Sequence, residues 1–142
     1  MNWKDKEVLV TGGTGLIGRQ VAELLYEEGA RITTASLADG INPGKYKHFH
    51  VDLTDMSECI HVSVDKEYVF HLAGLKGSVL ATKEKPVDFF VPMLQMNTNM
   101  LEACRLNKVK KVVYASSIGA YANGIVMKEC NALEGVPMDA WP

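Results

Sequence analysis

The sequence has few of the features that mark secreted, metal-binding or nucleic-acid-binding proteins. It contains only three cysteines, Cys59, Cys104 and Cys130, without a C-x-x-C pair, so we expect free thiols and neither disulfides nor a metal site. The four histidines show no ligand spacing either, and we expect them at the surface. The net charge of −2, with both signs interspersed, argues against capture of nucleic acid.

Long hydrophobic runs are missing as well. No apolar run is long enough to span a bilayer, and the N-terminal segment Met1–Glu7 lacks the apolar core of a signal peptide. We therefore expect a cytoplasmic protein without a membrane partner. A hydrophobic fraction of 47% and a charged fraction of 23% are ordinary for globular proteins, so the 142 residues predict one domain, 1–142, with a substantial core.

What the sequence does contain is a glycine-spaced turn near its start. Residues 8–11 form an apolar run of strand length, Gly12, Gly15 and Gly18 follow, and residues 17–25 show helical spacing of apolar side chains. Glycines let the chain turn sharply and bring bare backbone against a ligand. The unpaired N–H groups and the dipole of a helix N-terminus favour a phosphate there. A purely structural tight turn is the alternative.

Further strand-like and helix-like segments alternate along the chain. Strands are predicted at 30–35, 47–51, 68–73 and 112–115, helices at 54–60, with a capping box at Asp55 and Glu58, and at 91–106, and loops at 37–46 and 75–85. Nearly continuous apolar strands indicate a parallel sheet covered on both faces. We predict an α/β, doubly wound, Rossmann-like sheet of strand order 3-2-1-4-5. Its ligand site should lie beyond the carboxyl ends of the strands.

The turn Thr11-Gly12-Gly13-Thr14-Gly15-Leu16-Ile17-Gly18 resembles the T-G-x-x-G-x-x-G motif of the extended short-chain dehydrogenase/reductases, the NAD-dependent epimerase/dehydratase family. Other stretches resemble further motifs of that family: Asp52-Leu53, His71-Leu72-Ala73-Gly74, the passage from Leu101 to Ser117, and Tyr121. Within the family, residues 77–100 are most similar to GDP-fucose synthases. Met93 and Ile118 depart from the active-site Asn and Cys of those synthases.

The resemblance implies a dinucleotide cofactor held by residues at the strand ends. The expected cofactor-binding residues are Gly12, Thr14, Gly15, Leu16, Ile17, Gly18, Ser36, Asp52, Leu53, Leu72, Ala73 and Gly74. Asp52 would contact the adenine, although a helix-capping role is the alternative. Ser36 stands where an acidic residue would select NAD, so we favour NADP over NAD, with Arg19, Lys45 and Lys47 as possible cations.

The resemblance also implies hydride transfer at a carbon of a nucleotide sugar. Ser117, with Ser116 second, would hold the substrate oxygen as a catalytic residue, although a strand-end hydroxyl bonded to backbone is the alternative. The family's catalytic Y-x-x-x-K dyad occurs nowhere in these residues. We expect the N-terminal, cofactor-binding part of a longer nucleotide-sugar epimerase or reductase, truncated before the catalytic helix and inactive alone. A non-catalytic NAD(P)-sensing module of the same fold is the alternative.

The helix predicted at 91–106 carries two adjacent apolar stripes. Met93, Met100, Leu101 and Cys104 form one stripe, and Met96, Met100 and Ala103 form the other. Such a helix needs partners on two sides, which could be the core alone or the core and a second subunit. In the family that the sequence resembles, this helix packs against its twin from a second subunit, so we expect a homodimer.

Overall fold

The computed structural model describes residues 2–39 and 44–117 and, of Val79, only the backbone. These residues form five short strands and four helices. The elements, in chain order, are β1 (Glu7–Thr11), α1 (Leu16–Glu27), β2 (Arg31–Ser36), β3 (Lys47–His50), α2 (Met56–Ser63), β4 (Tyr68–His71), α3 (Val79–Glu84), α4 (Pro86–Leu106) and β5 (Lys111–Tyr114).

The strands form one parallel sheet of order β3-β2-β1-β4-β5, which confirms the predicted topology. β1 lies at the centre, with Val10 in register with Thr34 of β2 and with Phe70 of β4. Val8, Leu9 and Val10 are fully buried. The chain order reverses beside β1, and the carboxyl ends of parallel strands meet there at a crevice.

The core forms one cluster on each face of the sheet, as the alternation of side chains along β1 requires. Leu9 belongs to the cluster that includes side chains from α2 and α4, whereas Val8 and Val10 belong to the cluster that includes side chains from α1. Cys59 and Cys104 lie in the first cluster as free thiols. Burial raises the pKa of Cys59 to about 12 and that of Cys104 to about 11. Cys130 lies outside the described residues.

The chain divides into two compact units. The first contains the sheet and comprises residues up to 74 together with 93–115. The second comprises residues 75–92 and, among the described residues, Ser116 and Ser117. The boundary falls inside α4, at Pro92, a residue that cannot donate the usual helical hydrogen bond. The expectation of one domain over residues 1–142 stays a prediction.

The structure corrects the element predictions in two places. The predicted loop 75–85 contains the short helix α3, because the Ser78 hydroxyl accepts a hydrogen bond from Ala81 N at 3.1 Å and so caps a helical turn. The capping box predicted at Asp55 and Glu58 is not closed. Asp55 caps α2 as expected, but Glu58 accepts its hydrogen bond from the backbone N–H of Asp52, at 2.7 Å.

Candidate nucleotide-binding site

The glycine turn joins β1 to α1, and a Cβ would clash at three of its glycines: with the Thr34 side chain at Gly13, and with backbone at Gly12 and Gly18. Gly12 has φ +66°, and a Cβ on it would lie 2.8 Å from both Ala73 N and Leu72 O. A Cβ on Gly18 would lie 2.1 Å from Gly12 O. Any side chain at either position would displace backbone, so both glycines allow β1, β4 and α1 to approach one another.

Gly15 differs from these glycines because its backbone is not strained and a Cβ there would be less crowded. It is the N-cap of α1, with φ −74° and ψ 173°, a conformation open to any residue. In the part of the chain that the structure describes, a Cβ would meet Gly12 O at 3.2 Å, a tight contact that a shift of a few tenths of an ångström would relieve. Packing therefore restricts a side chain at this position less than at Gly12 and Gly18.

The space in front of Gly15 faces the first turn of α1. No side chain caps this helix, and Arg19 is the first residue whose N–H bonds back, to Gly15 O at 3.1 Å. Leu16 and Ile17 leave 64% and 63% of their surface exposed, so their side chains are not part of the hydrophobic core. Uncapped N–H groups at the positive end of a helix dipole form a site for an anion.

Ser36 at the end of β2 contacts the same turn. The Thr14 hydroxyl donates to Ser36 Oγ at 3.0 Å, and Ser36 Oγ donates to Ala38 O at 2.9 Å. The nearest following carboxylate along the chain, Asp39, is fully exposed and lies 3.7 Å from His50 Nδ1. The end of β2 therefore presents a hydroxyl where an acidic residue would select NAD.

Two of the three predicted cations are engaged elsewhere. The Lys45 ammonium pairs with Glu23, and this hydrogen bond, with one from Tyr46, lowers the pKa of that carboxyl. The Lys47 ammonium lies 4.6 Å from the centre of the Phe49 ring. Arg19 is exposed, and among the described residues its guanidinium has no hydrogen bond or ion pair. Arg19 is therefore the predicted cation that stays available to a ligand.

Asp52 and Leu53 follow β3 and lead into α2. Asp52 is exposed, and its Oδ1 accepts hydrogen bonds from Thr54 N at 2.9 Å and from the Thr54 hydroxyl at 2.8 Å. The Asp52 side chain therefore forms a turn, and the helix-capping alternative for it is wrong, because the N-cap of α2 is Asp55. The Leu53 side chain is 4% exposed and belongs to the core. Contact of these two residues with an adenine stays a prediction.

The segment after β4 lies directly against the glycine turn. The backbone N–H groups of Leu72 and Ala73 donate to the Thr11 hydroxyl, at 3.2 and 3.3 Å. A Cβ on Gly74 would make only ordinary contact, at 3.7 Å, with the side chain of Met93. The predicted residues 12–18, 36 and 72–74 are thus brought together at one rim of the sheet.

Sequence reasoning missed the polar network beneath this rim. His71, expected at the surface, is 1% exposed because it ends a central strand that is covered on both faces. Its Nδ1 lies 2.7 Å from Thr11 Oγ1 and its Nε2 lies 3.0 Å from Asn97 Oδ1. Asn97 Nδ2 in turn donates to the Tyr114 hydroxyl at 2.8 Å. The position of His71 within the apolar run Tyr68–Ala73 was the signal for its burial.

Both predicted catalytic serines lie among the described residues, at the end of the part of the chain that contains β5. Ser116 and Ser117 follow β5 after Ala115, are exposed, and belong to the second compact unit. Their role stays a prediction, and Tyr121 lies outside the described residues. Within the described ranges, no helix is long and apolar enough to cross a membrane, and no group of three or more His, Cys, Asp or Glu side chains could hold a metal ion.

Known proteins share both the sequence pattern and the fold. The model of the NAD dependent epimerase/dehydratase family matches residues 8–138. A UDP-N-acetyl-alpha-D-glucosaminuronate decarboxylase from Bacillus cytotoxicus is 35% identical over 130 residues, covering 84% of this chain and 39% of the relative. The structure of a UDP-N-acetylglucosamine 4-epimerase from Methanobrevibacter ruminantium M1, in complex with UDP-N-acetylmuramic acid, is similar with a TM-score of 0.81 and 29% identity, covering 97% of this chain and 46% of that one.

A second solved structure carries a dinucleotide. MoeE5 in complex with UDP-glucose and NAD has a TM-score of 0.78 and 26% identity, covering 93% of this chain and 42% of that one. The chain therefore spans less than half the length of each of these three relatives. Particular resemblance to GDP-fucose synthases stays a prediction. A family match over nearly all of the sequence, together with the parallel sheet and the glycine turn, shows that this chain belongs to the NAD-dependent epimerase/dehydratase family.

Proposed function

We propose that this chain binds a nicotinamide dinucleotide, with the diphosphate at the N-terminus of α1. Gly15 carries the proposal, because it is the N-cap of an uncapped helix and has no side chain to cover the N–H groups of the first turn. The uncapped first turn of α1 faces the space in front of Gly15. A diphosphate resting against these N–H groups would use both features.

The test is a valine at Gly15. In Gly15→Val, the new side chain would enter the space of the proposed diphosphate, and its Cβ would lie 3.2 Å from Gly12 O, so we expect the chain to fold after a shift of a few tenths of an ångström. We expect the Kd for NADPH, measured by fluorescence titration, to rise at least about tenfold, since a mispositioned diphosphate loses charge-assisted hydrogen bonds. Glu27→Val, the same side chain on the exposed last turn of α1, is the matched control. Equal affinity in all three proteins would refute the proposed site.

NADP is the preferred cofactor in this proposal. The hydroxyl of Ser36 would leave room for a 2′-phosphate, and Arg19 is the cation that could pair with it. Arg19→Ala should weaken NADPH about tenfold and change NADH little, because only NADPH carries the extra phosphate. Ser36→Asp should shift the preference toward NADH. A wild-type chain that binds NADH more tightly than NADPH would overturn this preference.

The substrate class that we propose for the whole protein is a nucleotide sugar. The relatives named above act on or bind UDP-linked sugars, and Ser117, with Ser116 second, is the proposed holder of the reacting oxygen. The residues of this chain include no Y-x-x-x-K dyad, so we propose that it supplies cofactor binding and does not by itself catalyse hydride transfer. Turnover of a UDP- or GDP-sugar by the purified chain would refute that part.

The same missing dyad favours a second candidate function. A module that binds NAD(P) and signals through a partner would need the glycine turn without the Tyr and Lys. The two candidates differ in the coding sequence that follows residue 142. A Y-x-x-x-K within about ten codons, in keeping with the need for a general base near the reacting carbon, would support the enzyme, and a stop codon would support the sensor.

We also propose that the chain forms a homodimer through α4. Leu94 and Leu101 are 50% and 47% exposed although they lie on the helix that packs against the sheet. They are seven residues apart, so both lie on one face of the helix. This face differs from the one that buries Met96, Met100, Ala103 and Cys104. A second copy of the chain would cover it.

A further inference from the structure

The network under the rim suggests a role that depends on the proposed cofactor site. We propose that His71 and Asn97 are positioning residues, which fix the Leu72–Ala73 wall of that site through the hydroxyl of Thr11. The two residues touch no ligand in this proposal. They act through a buried chain of hydrogen bonds from α4 to β1.

The chain of hydrogen bonds ends at the Thr11 hydroxyl. Thr11 is fully buried, and a hydroxyl offers one hydrogen and two lone pairs. The N–H groups of Leu72 and Ala73 both donate to it, at 3.2 and 3.3 Å, which uses the two lone pairs, and the Leu72 N–H is shared with the backbone oxygen of Thr11 at 3.3 Å. The hydrogen of the hydroxyl must therefore go to His71 Nδ1, at 2.7 Å.

Asn97 matches the tautomer of His71 that the Thr11 hydroxyl requires. Its Nδ2 donates to the Tyr114 hydroxyl at 2.8 Å, and its Oδ1 faces His71. Because the Tyr114 hydroxyl can donate as well as accept, the direction of the chain is set at Thr11. Asn97 Oδ1 can only accept, so His71 Nε2, 3.0 Å away, carries the ring hydrogen. This leaves His71 Nδ1 without hydrogen, as the Thr11 hydroxyl requires. The tautomer is assigned here from the hydrogen-bond pattern.

A protonated or flipped His71 would disturb the wall of the site. An N–H on Nδ1 would compete with Leu72 and Ala73 for the two lone pairs of Thr11, so either Leu72 would keep only the backbone oxygen of Thr11 as its acceptor or Ala73 would lose the Thr11 hydroxyl. The wall has little room to move, since a Cβ on Gly12 would already lie 2.8 Å from Ala73 N. A shift of this segment would therefore be passed to the glycine turn.

The surroundings of His71 favour the neutral ring. Among the described residues, the side chains shown facing it are Thr11 from β1, Asn97 from α4 and the Tyr114 ring from β5, whose centre is 5.8 Å away. Of these, only Tyr114 can titrate, and none is charged at neutral pH. Burial lowers the pKa of His71, although the hydrogen bond with Asn97 opposes this effect.

Asn97→Asp tests the proposal with almost no change in side-chain size. The carboxylate cannot donate to Tyr114 and would favour a protonated imidazole, which would place an N–H on Nδ1 against Thr11. We expect the Kd for NADPH at pH 7 to rise about tenfold, and to return toward the wild-type value at higher pH as His71 loses its proton. Nitrogen NMR of the His71 ring should show an Nε2–H tautomer in the wild type and a protonated ring in the variant.

Asn107→Asp, directly after the end of the same helix, is the matched control. Asn107 Nδ2 donates to Ile60 O at 2.9 Å and to Ser63 Oγ at 2.8 Å, where no predicted cofactor residue lies. This change should lower the thermal midpoint and leave the Kd for NADPH at the wild-type value. Comparing Asn97→Asp with Asn107→Asp separates the effect of losing a buried hydrogen-bond donor from the effect of displacing the Leu72–Ala73 wall.

Several results would overturn the proposal. An Nδ1–H tautomer in the wild type would do so, as would a protonated His71 in Asn97→Asp with an unchanged Kd. If Asn97→Asp does not fold, Thr11→Val and Thr11→Ser replace it, since only serine keeps the hydroxyl; equal affinities in these two variants would also overturn the proposal. A wild type that binds neither NADPH nor NADH would instead refute the proposed function itself, and the positioning role with it.

Discussion

His71 is a titratable side chain inside a hydrophobic sheet, so its proton couples to folding. Burial holds its pKa below the ordinary value of 6.5. The unfolded chain therefore binds this proton more readily than the folded chain, and the free energy of unfolding rises with pH across the window between the two pKa values. Below pH 6.5 we expect the stability to fall as the pH is lowered toward the depressed value.

Urea unfolding at pH 7.5, 6.5 and 5.5 measures this coupling. The carboxyl groups of Glu23, Asp55, Glu67 and Glu102, whose pKa values hydrogen bonds lower, stay ionised throughout this range. His71→Asn removes the titrating group, so the loss of stability between pH 6.5 and 5.5 should shrink in this variant. An identical pH dependence in wild type and variant would assign the effect to another group.

The glycine turn shows how far the sequence predicts a site at the level of single residues. The spacing of Gly12, Gly15 and Gly18 predicted a strand, a turn and a helix start, and the structure contains all three. The spacing could not separate Gly12 and Gly18, where a Cβ would displace backbone, from Gly15, where the proposed diphosphate site lies. That distinction depends on distances to Ala73 and to Gly12 O, which only the folded chain defines.

Two helices end in the same backbone motif with different residues in the left-handed position. After α1, Gly29 has φ +88°, and Ala30 N bonds to Leu25 O at 3.0 Å. After α4, Lys108 has φ +56°, and Val109 N bonds to Cys104 O at 2.9 Å. Both are Schellman ends, in which glycine avoids the steric cost that a side chain incurs.

We expect Lys108→Gly to stabilise the chain by about 1 kcal/mol, because lysine incurs that cost and glycine does not. The exposed Lys108 side chain should contribute little in return, since surface charges are screened. Urea unfolding is the measurement. Lys110→Gly, at a position without positive φ, is the control and should not stabilise. A loss of stability in Lys108→Gly would contradict the steric argument.

The elements differ in how well the sequence revealed them. The strands were predicted to within one or two residues, because β-branched and apolar runs between turn residues are distinctive. α3 was missed because a helix of six residues, preceded by one capping serine, is too short to show the helical spacing of apolar side chains. The start of α4 at Pro86 agrees with the preference of proline for the first helical position.

At the scale of the whole molecule, the topology followed from one physical rule. Parallel strands need crossover helices, so apolar runs separated by helical segments predicted the order that the sheet shows. Long-range polar pairs could not be predicted in this way. Asn97 and His71 are 26 positions apart, and Asn99 Nδ2 donates to Thr54 O at 2.9 Å across 45 positions. Neither pair leaves a local pattern in the sequence.

The proposed homodimer makes the last prediction. Leu94 and Leu101 expose about half of their surface on one face of α4, and covering them would remove apolar area from water. We expect light scattering to give twice the mass of one chain for the wild type. The double variant Leu94→Lys with Leu101→Lys should give the mass of one chain, because two charges would be desolvated in each half of the interface.

The matched control for this interface is Leu24→Lys, which changes a leucine that is 62% exposed on α1. It adds the same side chain at a site outside the proposed interface, so the dimer should persist. The double variant and Leu24→Lys should unfold at similar temperatures, since none of the three leucines belongs to the buried clusters. A wild type that stays monomeric at the highest attainable concentration would refute the homodimer, and a dimer that is lost in Leu24→Lys but kept in the double variant would place its interface on α1 instead.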